Sequence, residues 1–218
     1  MEEAIIIPCY NSSKTILPLL KRIRKVTNAF IIAVDDGSVD STFSTLKKFK
    51  DKNFLAVKLE KNRGVGYATR VGIKIAQKIK AKKVLTIDAD LQHPPESIPD
   101  FFKALEKHKI VLGYRKFGLN RGIIREIGDM ILNLELNFLF FKKFKDTQCG
   151  MRAFLLDAIK KINFQQDGYE FISEFIIKTR DLDYYEIPIP AIYPSFPSLA
   201  IKRGIRIFIY ILSQRFFS

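Results

Sequence analysis

Two acidic pairs carry the chemistry open to this sequence: Asp35-Asp36, inside Asp35-Asp36-Gly37-Ser38-Val39-Asp40, and Asp88-x-Asp90, inside Asp88-Ala89-Asp90-Leu91-Gln92-His93. Two carboxylates one residue apart at a strand end can chelate a hard cation through oxygen and leave coordination positions open to substrate phosphate, the arrangement Mg²⁺ favours. Gln92 and His93 stand close enough to assist. An isolated Asp-x-Asp reads first as a turn or helix cap, because aspartate accepts from nearby backbone N–H groups. The second acidic pair, at another strand end, reverses that weighting. In a chain of formal net charge +14, Asp35, Asp36, Asp88 and Asp90 gathered at one rim repel one another, and a bound cation relieves the repulsion.

The other reactive residues say less. Asn62-Arg63-Gly64-Val65-Gly66 either presents backbone N–H groups to a phosphate at a helix start or is a tight turn. Neither the GxGxxG fingerprint nor a GxxxxGK phosphate loop occurs, so a dinucleotide-dependent dehydrogenase and a P-loop nucleotide hydrolase lose their main support. Cys149 has no neighbouring histidine to activate it and is expected to be structural. Two cysteines, Cys9 and Cys149, do not make a secreted disulfide scaffold of 218 residues, which points to a reducing cytosol. The excess of 37 Lys and Arg over 23 Asp and Glu favours phosphate-rich partners: nucleotides, anionic lipid or nucleic acid.

The elements that position these residues follow from periodicity. Short β-branched runs at Ile5–Ile7, Phe30–Val34 and Phe54–Leu59 alternate with helical patterns over Ile16–Val26 and Thr42–Phe49, a βαβαβ rhythm. Ala68, Val71, Gly72, Ile75, Ala76 and Ile79 keep the spacing of a helix with one buried face. Strands follow at Val84–Ile87 and Ile110–Leu112, with a helix around Ile98–Leu105 between them. The expected fold class is α/β, a mostly parallel sheet flanked by helices in a single domain. Arg121–Lys145 is helical by its Leu, Met and Glu content although Leu132, Leu134, Leu136 and Phe138 alternate as a strand would. A strand over Ala153–Leu156, a helix over Phe171–Thr179 and a strand over Tyr185–Ile189 complete the expected order. Residues 1–197 form the expected domain and 198–218 a basic amphipathic C-terminal helix. No stretch reaches the roughly 20 apolar residues of a membrane span, and the acidic start is unlike a signal peptide.

In such folds ligands sit beyond the carboxyl ends of the strands, which is where the polar loops lie. Pro8-Cys9-Tyr10-Asn11, Val34-Asp35-Asp36-Gly37-Ser38-Val39-Asp40-Ser41-Thr42, Asn62-Arg63-Gly64, Asp88-Ala89-Asp90-Leu91-Gln92-His93-Pro94-Pro95, Gly113-Tyr114-Arg115 and Asp146-Thr147-Gln148-Cys149-Gly150-Met151-Arg152 occur in an order and spacing that resembles the family 2 glycosyltransferases. Within that family the series is most similar to the dolichol-phosphate mannose and polyprenyl-phosphate glucose synthases. The resemblance implies a GT-A fold, a GDP- or UDP-hexose donor, Mg²⁺ or Mn²⁺, and inversion at the anomeric carbon. Carried across, Pro8, Tyr10, Asn11, Asp35 and Asp36 would line the nucleoside pocket. Asp88 and Ala89 would meet ribose and diphosphate, and Asp90 and Gln92, with Asp88, would hold the metal. Arg115 would meet phosphate, and Asp146–Arg152 would close the sugar pocket. Relatives often carry Glu where this chain has Ser12.

Displacement at an anomeric carbon puts negative charge on the departing diphosphate, so stabilising that charge is the main catalytic demand. A hydroxyl acceptor also needs a general base, for which Asp146 is the candidate and a turn cap its competing role; a lipid monophosphate is already ionised and needs mainly cations. Arg115, Lys116, Arg121, Arg125, Lys142, Lys143 and Lys145 bracket the apolar Ile123–Phe141, a seat for a polyprenyl phosphate or simply a core helix with a solvated edge. Arg115, Arg121 and Arg125 are the expected acceptor-phosphate ligands. Lys202, Arg203, Arg206 and Arg215 around Ile205–Leu212 suit a helix lying in an interface, hence a cytoplasmic protein peripheral to the cytoplasmic membrane face. Lys47-Lys48-Phe49-Lys50 and Phe141-Lys142-Lys143-Phe144-Lys145 interleave aromatics and cations as single-strand binders do, but the acidic rim would repel a phosphate backbone, and no nucleic-acid partner is expected. A nucleotidyltransferase would usually want a Gly-rich basic loop where Pro8–Ser13 stands.

Overall fold

The computed structural model of the chain describes residues 2–115, 123–190 and 200–216. Strands β1 (Glu3–Cys9), β2 (Phe30–Asp35), β3 (Phe54–Lys58), β4 (Lys83–Thr86), β5 (Ile110–Arg115), β6 (Arg152–Leu155) and β7 (Tyr184–Ile189) form one seven-stranded sheet in the order β3-β2-β1-β4-β6-β5-β7. Helices α1 (Ile16–Val26), α2 (Thr42–Lys48), α3 (Val65–Lys78), α4 (Ile98–Ala104), α5 (Ile123–Phe140), α6 (Leu156–Ile159), α7 (Glu170–Thr179) and α8 (Ala200–Phe216) connect and cover it, and a 3₁₀ turn over Pro95–Ser97 leads into α4. This is the α/β, mostly parallel, helix-flanked sheet read from the sequence.

The strands read as unbroken apolar runs because both faces of the sheet are covered. Side chains alternate along each strand, so Ile6, Ile32 and Val34 enter one core with residues of α3, α5, α7 and α8. Ile5, Ile7, Ile31 and Ala33 enter the other, beneath α1, α2 and α4. One strand departs from the parallel pattern: β6 runs antiparallel between β4 and β5. Its first residue, Arg152, pairs with Thr86 at the end of β4 and with Leu112 in β5. The antiparallel direction therefore delivers the segment leading into β6 to the same rim as the carboxyl ends of β1, β2 and β4, whose registers put Cys9 level with Asp35 and Ile6 with Thr86.

Over α5 the helical period wins over the alternating one. Leu132 and Leu136, one turn apart, are buried, while Leu134 and Phe138 are exposed. Glu135 lies between them in sequence, and both its carboxylate oxygens are inaccessible and lack a hydrogen-bond partner among the described residues. Burial pushes the Glu135 carboxyl up to about 8. A carboxyl raised in the fold costs nothing extra while protonated and destabilises once ionised, so stability falls as pH rises from the ordinary carboxyl value of 4.5 through about 8 and levels off above. Glu135→Gln is expected to raise the thermal midpoint more at pH 9 than at pH 5, by the equivalent of about 1 to 2 kcal/mol for this partly exposed residue. Equal gains at both pH values in a melting series would contradict this.

Candidate active site

The rim opens into a cavity of about 840 Å³ with two chemically different ends. Its polar end is built by strand ends: Pro8 and Cys9 at the end of β1 with Tyr10 and Ser12 just past it, Asp36 after β2, and Asp88, Ala89, Asp90, Gln92 and His93 after β4. Its apolar end is built by helices: Ile127, Ile131 and Leu132 of α5 with Ile205, Ile207 and Phe208 of α8. Arg115, Asp129, Gln148, Gly150 and Tyr169 also line it.

At the polar end Asp36 is buried, and its carboxylate accepts backbone N–H groups of Arg63 and Gly64 at 2.9 and 2.7 Å. That bond fixes the loop into α3. Gly64 is required there, since its φ is +106° and a Cβ would lie 2.4 Å from the Asp167 carbonyl oxygen. Arg63 and Arg70 both pair with Asp167, tying this loop to the segment before α7. Asp88 has His93 Nε2 at 3.2 Å from Oδ2. Burial works to raise the Asp88 carboxyl, but the hydrogen bond and charge of His93, helped by Arg152 and Arg115, outweigh it and hold the group below the ordinary carboxylate value. Asp90 is exposed, and its Oδ1 accepts the Gln92 N–H at 3.0 Å.

Arg115, only 5% exposed, closes β5 against Asp146. Its Nε donates to Asp146 Oδ2 at 2.6 Å and its Nη2 to Oδ1 at 2.9 Å, a bidentate pair, while the Arg115 backbone N–H adds a bond of 3.1 Å. Nη2 also reaches Asp129 of α5 at 3.3 Å. Burial opposes the charge, yet the Asp146 bonds prevail and hold the guanidinium above its ordinary value.

Of the residues picked out by sequence, Pro8, Tyr10, Asp36, Asp88, Ala89, Asp90, Gln92 and Arg115 meet in the one cavity. Asp35, Asn11 and Asp146 do not line it, contrary to the expectation that they would. Asp35 is fully buried and accepts the Ser38 N–H at 3.0 Å. Asn11, at φ 49°, receives the Val39 N–H on Oδ1 and gives its own N–H to Ser38, bracing the β1 and β2 loops. Asp146 is buried beneath Arg115. Arg121 lies outside the described residues, as does the side chain of Arg125. Cys149 is buried, and burial pushes its thiol up to about 12, which suits a packing role. Asp129, Ile172, Ile207 and Phe208 line the cavity from α5, α7 and α8, and Tyr169 from just before α7; no local pattern announces that these helices meet at the rim.

Asp88, Asp90 and Gln92 supply hard oxygen donors to one cavity, which fits Mg²⁺ or Mn²⁺. Among the described residues no three His, Cys, Asp or Glu form a ready cage. Such a donor set suits a cation that takes one or two carboxylates and fills its remaining positions with substrate phosphate and water.

A family model described as "Glycosyl transferase family 2" matches residues 4–163, nearly all of the rim-forming chain. The chain belongs to glycosyl transferase family 2. It is thus a glycosyltransferase. It is similar to a UDP-N-acetylglucosamine–dolichyl-phosphate N-acetylglucosaminyltransferase of Methanococcus voltae, 31% identical over 94% of this chain and 90% of that protein. A dodecaprenyl-phosphate galacturonate synthase of Rhizobium johnstonii is 24% identical over 100% of this chain and 67% of that one. Glucosyl-3-phosphoglycerate synthase of Mycobacterium tuberculosis, solved with Mn²⁺, UDP-glucose and phosphoglyceric acid, superposes with a TM-score of 0.79 at 18% identity, covering 98% of this chain and 79% of that chain. That likeness shows a GT-A-like fold for this family 2 member.

Proposed function

We propose that this glycosyltransferase moves a hexose, with inversion, from a GDP- or UDP-sugar to a polyprenyl phosphate of the dolichyl type. The observation that carries the reading is the two-ended cavity, acidic at the β1, β2 and β4 ends and apolar between α5 and α8, with Arg115 on its wall. Relatives named for dolichyl- and dodecaprenyl-phosphate substrates support the same acceptor class.

In this reading Pro8, Tyr10 and Asp36 bound the nucleoside, and Asp88 and Ala89 lie against ribose and diphosphate. Asp88, Asp90 and Gln92 hold Mg²⁺ or Mn²⁺, which when bound offsets charge on the diphosphate leaving group. Arg115 meets the acceptor phosphate, already an anion and in no need of proton removal. Asp146 then serves as the buried carboxylate that holds Arg115 in place, rather than as a base. The apolar end takes the first isoprene units, where burying each CH₂ is worth about 0.8 kcal/mol.

The exposed Ile127, Met130, Leu134 and Phe138 of α5 and Ile205, Ile209 and Phe216 of α8 extend that apolar end to the surface. Arg203 lines the cavity and Arg215 lies over the Phe141 ring just past α5, while Lys142, Lys145 and Arg206 flank the two helical segments in sequence. Among the described residues no helix is long and apolar enough to cross a membrane. These helices suit lying on an anionic bilayer surface, the cytoplasmic face in this reading, from which a polyprenyl phosphate enters.

The acceptor half is tested by Ile131→Glu. A charge in the apolar end is expected to raise KM for a short-chain prenyl phosphate at least about tenfold and to leave nucleoside diphosphate binding unchanged. Unaltered use of the prenyl phosphate would contradict the assignment.

A further inference from the structure

We infer that His93 is a positioning residue that fixes the Asp88 carboxylate for the donor diphosphate. The inference rests on the reading of Asp88 and Asp90 as the diphosphate end of the cavity. His93 is 3% exposed, and its one hydrogen bond among the described residues is from Nε2 to Asp88 Oδ2, at 3.2 Å. A carboxylate can only accept, so Nε2 carries the proton in this pairing. Nδ1 is buried with no hydrogen-bond partner among the described residues, so no other polar group orients the ring.

The same Asp88 oxygen is confined from a second side. A Cβ on Gly150 would lie 2.1 Å from Asp88 Oδ2, so this oxygen rests directly on the glycine backbone. That backbone is itself held: Thr86 Oγ1 donates to the Gly150 carbonyl at 3.0 Å, and Arg152 Nη2 donates to the Cys149 carbonyl at 2.6 Å. Arg152 is buried among carbonyl acceptors, and burial pulls it down to about 10. Asp88 Oδ2 is thus pinned between an imidazole N–H and a fixed glycine, while Oδ1 accepts no hydrogen bond among the described residues. A carboxylate with one oxygen anchored and the other unengaged is oriented in advance for a ligand. Groups that orient ligands of a cation in this way typically contribute 10- to 100-fold in affinity or activity.

The test is calorimetric titration of Mn²⁺ with UDP and with GDP, run beside thermal melting. His93→Ala is expected to weaken Mn²⁺–nucleoside diphosphate binding about 10- to 100-fold and to raise donor KM more than it lowers kcat. His93→Gln, whose amide N–H can replace Nε2, is expected to restore most of the binding; His93→Asn, too short to reach Asp88, is not. Wild-type binding in His93→Ala alongside lost binding in Asp90→Ala would overturn the role of His93 and leave the site reading standing. Undiminished binding in Asp90→Ala would sink the site reading, and this inference with it. If the alanine variant does not fold, equal affinity in the Gln and Asn variants overturns the inference.

Discussion

Asp90→Ala is expected to lower kcat/KM by about 100- to 1000-fold, the scale of losing one group that stabilises charge developing on a leaving oxygen. The fold should hardly notice. Asp90 is exposed, and its carboxylate contributes a bond to the Gln92 N–H two residues away, so the thermal midpoint should move by the equivalent of less than about 1 kcal/mol. Steady-state kinetics at saturating Mn²⁺, with melting as the control, separate the two effects. Full metal-dependent turnover in the variant would remove Asp90 from the mechanism.

The opposite pairing of effects is expected one strand away. Arg115→Met takes the bidentate partner from the buried Asp146, a loss of about 3 to 5 kcal/mol, the scale of breaking a buried ion pair from one side. Asp146→Leu should cost a similar amount for the mirror reason, although Asp129 at 3.3 Å softens it for the arginine. Combining the two should recover much of the stability, since a buried ion pair replaced by apolar groups of similar volume is often neutral. Activity should not return with it. A double variant that regained both folding and turnover in denaturant titration and transfer assays would show that Arg115 is structural alone.

These two sites also mark how far the sequence could be read. The strand-end loops were legible because parallel strands buried on both faces must be apolar throughout, so Asp36 and Asp88–Gln92 stand out where each run stops. Helix α5 was legible in kind from its Leu, Met and Glu content though Leu132, Leu134, Leu136 and Phe138 alternate, and Leu132 and Leu136 pack one turn apart. The partner of Arg115 was not legible. Asp146 reaches it only because β6 enters the sheet antiparallel between β4 and β5, a topological fact with no local signature. The same insertion sets Gly150 against Asp88, and the apolar wall needs α8 to return across the rim from the far end of the chain. Spacing predicts elements and their faces; contacts such as Arg115 with Asp146, 31 positions apart, and Asp88 with Gly150 depend on the order of strands.

Transfer of a radiolabelled sugar to a short-chain prenyl phosphate, from a panel of GDP- and UDP-hexoses with Mn²⁺ or Mg²⁺, tests the central claim most directly. The expected outcome is a lipid-extractable product that mild acid cleaves, formed with one donor and lost in Asp90→Ala. Donor binding with no lipid product, and label passing instead to a glycan hydroxyl, would contradict it.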